Sequence, residues 1–341
     1  MLAPVALHET TNGLHDRFGR HINYLRISLT DHCNLRCVYC MPTHGLTFVP
    51  NRELLTAEEI EIVVQAAVKN GFHKFRLTGG EPTVRPDIVD IVHRIARTPG
   101  VADLSMTTNG IRLTTLATEL KAAGLKRVNV HIDTLNAEHL PALMRWGKLE
   151  KLWAGLEAAE AAGLKPIKVN CVVTRGYNEE DVVDVARLAI DRDWGIRFIE
   201  LMPLGGGAEA QVAIDRFVPT HETKARIEAA LGELSPIPNR DASDESRNYR
   251  LQNGRGTVGF ISPVSEPYCD TCNRMRLTSD GKFHLCLLHD AEIDIKAALR
   301  GGGGPAEVEE LLARAVSAKP TGHALRRGIH TEDRRMHQIG G

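Results

Sequence analysis

No stretch of the chain approaches the ~18 consecutive apolar residues of a membrane span. The first twenty residues hold His8, Glu9 and Asp16 but no apolar run of the kind a secretory signal needs, so none is expected. Charge of one sign is missing too. The chain has 42 Lys and Arg against 43 Asp and Glu, a net charge of -1, so nothing global points to nucleic acid or to a membrane surface. Any anion site must then come from a local basic cluster. The run Gly301–Gly304 lacks the Lys-Ser/Thr of a phosphate loop and reads as a turn joining two helices. An even set of cysteines is lacking as well: there are 7, and six of them fall in two tight groups. That pattern favours metal ligation in a reducing compartment over disulfides. The expectation is a soluble cytoplasmic enzyme. Its 341 residues, 43% hydrophobic and 25% charged, suffice for one large domain and an appendage.

The first 200 residues alternate β-like runs with amphipathic helical stretches. Strands are expected at 25–30, 73–80, 103–109, 127–135, 166–174 and 195–204, and helices at about 56–70, 86–97, 113–123, 148–163 and 179–192. Thr56 and Glu59 form a capping-box pattern, and Gly71, Gly100, Gly124 and Gly163 follow the helix ends. Repeated β-α units imply parallel strands with helices outside. Gly205–Gly207 marks a change of character. The chain then reads as irregular and polar, with a β-rich piece over 256–288 and a helix or two before the tail.

Side-chain alternation says which face of these strands points inward. One face reads Leu25, Ile27, Leu29, Phe75, Leu77, Val128, Val130, Val169 and Cys171. The other reads Arg26, Ser28, Lys74, Arg76, Thr107, Asn129, His131, Lys168 and Asn170. The apolar face belongs under the helices, so the polar face lines the lumen. A Lys/Arg-bearing lumen is costly unless solvent or a charged ligand fills it. The pattern describes a chamber for an anionic substrate.

Two cysteine groups carry the chemistry. Cys33-x3-Cys37-x2-Cys40 follows the first strand, where a barrel of this kind places its active site. Three thiolates can hold a four-iron cluster with one iron left open. A buried thiol trio or a zinc knuckle is the plainer reading, although structural zinc usually takes four protein ligands. Thr78-Gly-Gly-Glu-Pro82 ends the second strand and exposes backbone that a ligand can touch. Cys269-x2-Cys272-x13-Cys286 is the second group, and a zinc site completed by His284 or His289 is the alternative there. Arg274 and Arg276 follow Cys272 on one face of an extended segment, which suits polyphosphate recognition.

The first cysteine run together with Gly-Gly-Glu-Pro resembles the radical S-adenosylmethionine (SAM) superfamily. With the second trio, Asn273-Arg-Met-Arg276, Arg197-Phe-Ile-Glu-Leu-Met-Pro203 and a terminal Ile339-Gly-Gly341, the chain from about Gly19 to Gly341 is similar to the GTP 3′,8-cyclase family, molybdenum cofactor biosynthesis protein A. The resemblance implies an α/β fold: an incomplete (β/α)6 TIM-like barrel of the radical SAM type over 1–204, with a C-terminal α+β domain over 205–341 closing its open side. It implies two [4Fe-4S] clusters and SAM, whose reductive cleavage gives a 5′-deoxyadenosyl radical that abstracts the 3′ hydrogen of GTP. Attack on guanine C8 then yields (8S)-3′,8-cyclo-7,8-dihydroguanosine 5′-triphosphate.

Residue by residue, the resemblance assigns Cys33, Cys37 and Cys40 to the SAM-side cluster and Cys269, Cys272 and Cys286 to the substrate-side cluster. Tyr39, Gly80, His131, Arg197 and Met202 fall at SAM contacts, His131 standing where the family usually has serine. Arg26, Lys74, Arg76, Thr107, Lys168, Arg274, Met275 and Arg276 fall at GTP contacts. Gly340 and Gly341 form the family's activating tail. Arg197 and Met202 have opposite parity on one strand, so a bulge or strand end is expected between them. The implied partners are GTP, a reducing electron donor and, for handover of product, the cyclic pyranopterin monophosphate synthase of the same pathway. A monomer or homodimer is expected. The competing readings are a radical SAM enzyme acting on a peptide or other small molecule, and a zinc-binding interaction protein. Iron and zinc content separates the second from the first.

Overall fold

The computed structural model describes residues 13–239, 241–325 and 331–340. Six strands alternate with helices as the periodicity demands: β1 (Tyr24–Ser28), α1 (Ala57–Lys69), β2 (Lys74–Thr78), α2 (Ile88–Arg97), β3 (Asp103–Thr108), α3 (Leu113–Ala122), β4 (Arg127–His131), α4 (Leu140–Met144), α5 (Leu149–Ala161), β5 (Lys168–Val173), α6 (Val182–Asp191) and β6 (Gly195–Glu200). The strands pair in chain order, all parallel. Leu25, Ile27, Phe75, Leu77, Val128, Val130, Val169 and Cys171 are fully buried beneath the helices, which leaves the polar face to line the inside. Thr56 and Glu59 form the expected capping box at α1.

The remaining elements are α7 (Ala208–Asp215), α8 (Thr220–Leu231), β7 (Leu234–Ile237), β8 (Arg247–Leu251), β9 (Thr257–Ile261), β10 (Arg274–Leu277), β11 (Lys282–Cys286), β12 (His289–Asp294), α9 (Lys296–Arg300), α10 (Gly304–Ser317) and α11 (Met336–Ile339). They lengthen the sheet at both ends. β9 joins β6 in parallel and carries the antiparallel β8 and β7; β10 joins β1 in parallel and carries the antiparallel β11 and β12. The result is a curled, open half-barrel. Helices α7 and α8 stand where the sequence reads as irregular. On α8 only Thr223 and Ile227 are buried, a stripe too narrow to give a visible period. The glycine run before Pro305 does join two helices, α9 and α10.

Candidate functional site

The two cysteine groups lie at opposite ends of the same strands. Cys33, Cys37 and Cys40 follow the C-terminal end of β1. Cys269 and Cys272 precede β10, which runs parallel to β1, and Cys286 ends the antiparallel β11. All six line one chamber of ≈ 270 Å³. Among the described residues no three His, Cys, Asp or Glu side chains close round one ion-sized point; each trio instead forms part of a broad wall.

The first trio sits in a loop held by its own backbone. Cys40 N and Met41 N both donate to Cys37 O at 3.0 and 3.1 Å, and Val38 N donates to Leu143 O in α4 at 3.0 Å. Arg36 donates to Cys33 O at 2.7 Å. Burial, and next Glu81, pushes the Cys33 thiol up to about 11. Burial and Asp133 hold Cys37 well above its ordinary value. A metal centre binding here must therefore displace thiol protons. Beside it, Gly79 and Gly80 press against the trio's loop. A Cβ on Gly80 would come within 2.3 Å of His32 O, and one on Gly79, whose φ is +149°, within 2.5 Å of Thr30 O. Only glycine fits this cradle.

Glu81 fixes the cradle. Its buried carboxylate accepts from Thr83 N (3.0 Å), Thr83 Oγ1 (2.5 Å), Thr108 Oγ1 (2.7 Å) and Asn109 N (2.7 Å). Tyr39 Oη donates to Asp133 Oδ2 at 2.6 Å and lies 2.6 Å from His131 Nε2. Burial and then Asp133 keep that phenol well above its usual range. Burial alone would lower His131, but Asp133 outweighs it and raises the imidazole. Tyr39, Gly80, His131 and Met202 all line the chamber. Met202 lies beyond the end of β6, which resolves its parity conflict with Arg197. Arg197, expected at a SAM contact, does not line the chamber with them; it pairs instead with Asp244 at 3.3 Å and approaches Glu245 at 3.8 Å, among the basic residues.

Arg276, Arg26 and Arg76 form a row, paired in register across β10, β1 and β2. Arg274 lies one step along the same face. Burial, then Arg26 and Arg274, draws Arg276 down to about 9. The acceptor for Arg276 is the carbonyl of Gly340 at the chain's tail. Gly340 has φ +83°, and a Cβ there would stand 2.1 Å from Thr78 Oγ1. Gly341 lies outside the described residues. Thr107 lines the chamber, and its Oγ1 is buried without a hydrogen-bond partner, as are Asn170 Oδ1 and Arg26 Nε. Met275, expected at a substrate contact, faces the other way: its side chain is buried in the hydrophobic core and does not line the chamber. Lys74 and Lys168 stand below the chamber wall; Lys74 is paired with Asp241.

Around the second trio, burial opposes ionisation of Cys272, but Arg274 and Lys319 outweigh it and bring the thiol down to about 6. A thiolate is the form that binds metal. Gly322 packs against Cys269, where a Cβ would sit 3.0 Å from its Sγ. Arg20, ion-paired with Asp16 at 2.6 Å, clamps this region by donating to Cys269 O, Thr321 O and Pro320 O at 2.6–2.7 Å. His284 faces Glu292 (3.1 Å) and His289 caps Ala291 N (3.2 Å); neither lines the chamber, so the zinc alternative loses the fourth ligands considered for it. The thiol sets, the glycine cradle and the orphaned polar atoms fit clusters and a polar cofactor.

The sequence reading quoted Glu81 only as part of Gly-Gly-Glu-Pro and gave no role of its own to Asp133 on the polar face; it missed Lys319 and the acidic residues Asp241, Asp244 and Glu245. The last three come from the stretch read only as polar, and their one sequence signal is a concentration of acids in a chain with a cationic lumen.

Residues 27–189 match the Radical SAM superfamily profile, and residues 194–325 match Molybdenum Cofactor Synthesis C. A GTP 3′,8-cyclase of Moorella thermoacetica is 47% identical over 328 residues, covering 96% of this chain and 100% of that protein. One from Listeria monocytogenes is 41% identical over 335 residues, covering 96% and 99%. Among solved structures, Streptococcus suis SuiB bound to S-adenosylmethionine superposes with a TM-score of 0.58 at 14% identity, over 80% of this chain and 63% of SuiB; that likeness is one of fold. The chain belongs to the GTP 3′,8-cyclase family of radical SAM proteins.

Proposed function

We propose, from that membership, that the protein is a GTP 3′,8-cyclase. It converts GTP to (8S)-3′,8-cyclo-7,8-dihydroguanosine 5′-triphosphate in an early step of molybdenum cofactor biosynthesis. The observation that carries the reading is the meeting of two cysteine trios and an in-register arginine row in one chamber. Cys33, Cys37 and Cys40 would hold the cluster that presents SAM, and Cys269, Cys272 and Cys286 a second [4Fe-4S] cluster on the substrate side. When bound, the first cluster and SAM supply a carbon radical able to take the ribose 3′ hydrogen.

The chain's own residues do the rest. Gly79 and Gly80 offer bare backbone to SAM, and Glu81 holds that backbone in place. Tyr39, tied to Asp133 and His131, fixes the wall beside the cofactor. Arg26, Arg76, Arg274 and Arg276, with Lys74, Lys168 and Arg197 beneath, receive the triphosphate. Thr107 offers an unpaired hydroxyl to the nucleoside. The tail at Gly340 sets the orientation of Arg276. Burial of these side chains away from bulk water strengthens each of these contacts.

The same reading divides the chain into a SAM-side partial barrel over 1–204 and a substrate-side domain over 205–341. It calls for an external electron donor and for handover of product to the cyclic pyranopterin monophosphate synthase. It places the enzyme in the cytoplasm as a monomer or homodimer; among the described residues no helix is long and apolar enough to cross a membrane. Anaerobic incubation of the iron-replete protein with SAM, a reductant and GTP, followed by mass analysis, tests the activity. The cyclic triphosphate should form together with 5′-deoxyadenosine. Deoxyadenosine alone, unchanged by GTP, would point to a different substrate.

A further inference from the structure

Like charges aligned on adjacent strands repel, and buried ones need a counter-ion. The arginine row obtains one from the far end of the sheet. The hairpin tip between β7 and β8 reaches across the chamber and sets Glu245 between β1 and β10. Glu245 Oε1 accepts from Arg26 at 2.9 Å and Oε2 from Arg274 at 2.6 Å, with Arg197 at 3.8 Å and Arg76 at 4.0 Å. The same tip lays Asp244 against Arg197 at 3.3 Å and Asp241 against Lys74. Burial opposes ionisation of Glu245, but the surrounding arginines hold it well below the carboxylate range.

The tip is built so that its acids can leave together. Its base is closed by Asn239 Nδ2 donating to Ser246 O, and by Asn248 Nδ2 donating to Asn239 Oδ1, both at 2.7 Å. Those bonds lie outside the acidic segment, as does the β7–β8 ladder. The contacts of the acids across the chamber are to cations, apart from the local turns of Asp241 with Ser243 and of Asp244 with Ser246. Lys74 and Arg197 do not line the chamber while these acids engage them, nor does Lys168 beside Arg197 and Asp244.

We propose that residues 241–245 are a built-in surrogate for the polyphosphate, holding its place in the nucleotide-free protein and leaving when phosphate oxygens take over the same cations. The exchange makes this segment a determinant of phosphate-chain length. A triphosphate carries more charge than the three carboxylates together, whereas a single phosphate group, at about -2, carries less and leaves cations without partners. The proposal rests on reading the basic lumen as the nucleotide's polyphosphate site. A competitor that must leave first weakens apparent affinity by the fraction of protein in which it has left.

Calorimetric titration with inorganic tripolyphosphate, pyrophosphate and orthophosphate tests it, using cluster-replete protein as wild type, as Glu245→Gln and as the Asp241→Asn, Asp244→Asn double variant. The double variant keeps Glu245 on its arginines, so the comparison survives if Glu245→Gln fails to fold. Each folded variant should bind tripolyphosphate about tenfold or more tightly than wild type, a change of about 1.4 kcal/mol, and should discriminate less against the shorter chains. Hydrogen exchange over 241–246 in wild type should speed up when tripolyphosphate is added. Unchanged or weaker binding in the folded variants, or slower exchange in the segment, overturns the surrogate role. Wild type that turns over GTP but ignores tripolyphosphate overturns it while leaving the activity intact. Loop release by tripolyphosphate in a protein that does not cyclise GTP supports the surrogate and removes the activity.

Discussion

The proposed nucleotide role of Lys168 carries a pH dependence of stated sign. It lies on β5 between Asn129 and Gly195 of the neighbouring strands. Burial, then Arg197, with Arg76 and Arg127 adding and Asp244 opposing, lowers its amine from 10.5 to about 7. At pH 6 about nine-tenths of the amines would carry the proton, and at pH 8 about one-tenth. If the triphosphate binds only the ammonium form, apparent affinity scales with that fraction and falls about tenfold from pH 6 to pH 8. Binding at pH 8 should also draw up to about one proton from solvent, because the bound anion raises the amine's pKa. The terminal phosphate of GTP titrates nearby and pushes the other way, so Lys168→Met supplies the baseline. That variant should bind roughly tenfold or more weakly at pH 6, given ~1.5–3 kcal/mol for a charge-assisted contact, and should approach wild type at pH 8. Calorimetry without SAM, in two buffers of different ionisation enthalpy, measures both affinity and proton uptake. A wild-type profile parallel to that of Lys168→Met across the range would refute the reasoning. Without nucleotide, the unfolded chain keeps this proton up to about 10.5. It then binds more protons than the folded chain between about pH 7 and 10.5, so the Lys168 contribution to stability rises with pH over that window.

Replacing Cys33, Cys37 or Cys40 with alanine should abolish SAM cleavage, whereas replacing Cys269, Cys272 or Cys286 should stop cyclisation and leave some uncoupled cleavage; 5′-deoxyadenosine assays separate the two, and cleavage persisting in Cys37→Ala would sink the assignment. Gly340→Ala should cut cyclisation severely with both clusters intact, since its Cβ would stand 2.1 Å from Thr78 Oγ1; full activity per iron-replete enzyme would make the tail an ordinary chain end. Arg20→Ala leaves the buried Asp16 carboxylate with only the backbone N–H groups of residues 18 and 20 and no counter-charge, and should lower stability by about 3–5 kcal/mol, read by denaturant unfolding; a change under about 1 kcal/mol would mean the clamp is redundant. His131→Ser should retain SAM binding because Tyr39 stays bonded to Asp133 at 2.6 Å; complete loss in a binding titration would give the imidazole an indispensable role.

The half-barrel was legible because its signal is local. Alternation over four to six residues reveals which side of a strand is buried, and Arg26, Arg76 and Thr107 could be placed inside the lumen on that basis. Parity also required a bulge or strand end between Arg197 and Met202; which of the two it is was not legible, and the structure ends the strand at Glu200. The extension of the sheet through β10 and β9 was hidden for another reason. Pairing between segments far apart in the chain, β1 with β10 and β6 with β9, leaves no pattern in either one. Glu245 was hidden in the same way: it meets its arginines only after the sheet has curled, and before that it is one acid in a polar loop.

The pairing of β1 with β10 also sets an order of assembly. Asn23, at the start of β1, bonds Asn273 across a separation of 250 residues. A chain growing from its N-terminus can stack β1 through β6 early, because each crossover is short. The outer side of β1 must then wait, unpaired, until residues 274–277 have left the ribosome. Closing so long a loop is slow, and unpaired strand edges invite wrong partners. The first cysteine loop hangs from that waiting strand. Synthesis of residues 274–277 therefore governs when β1 becomes safe.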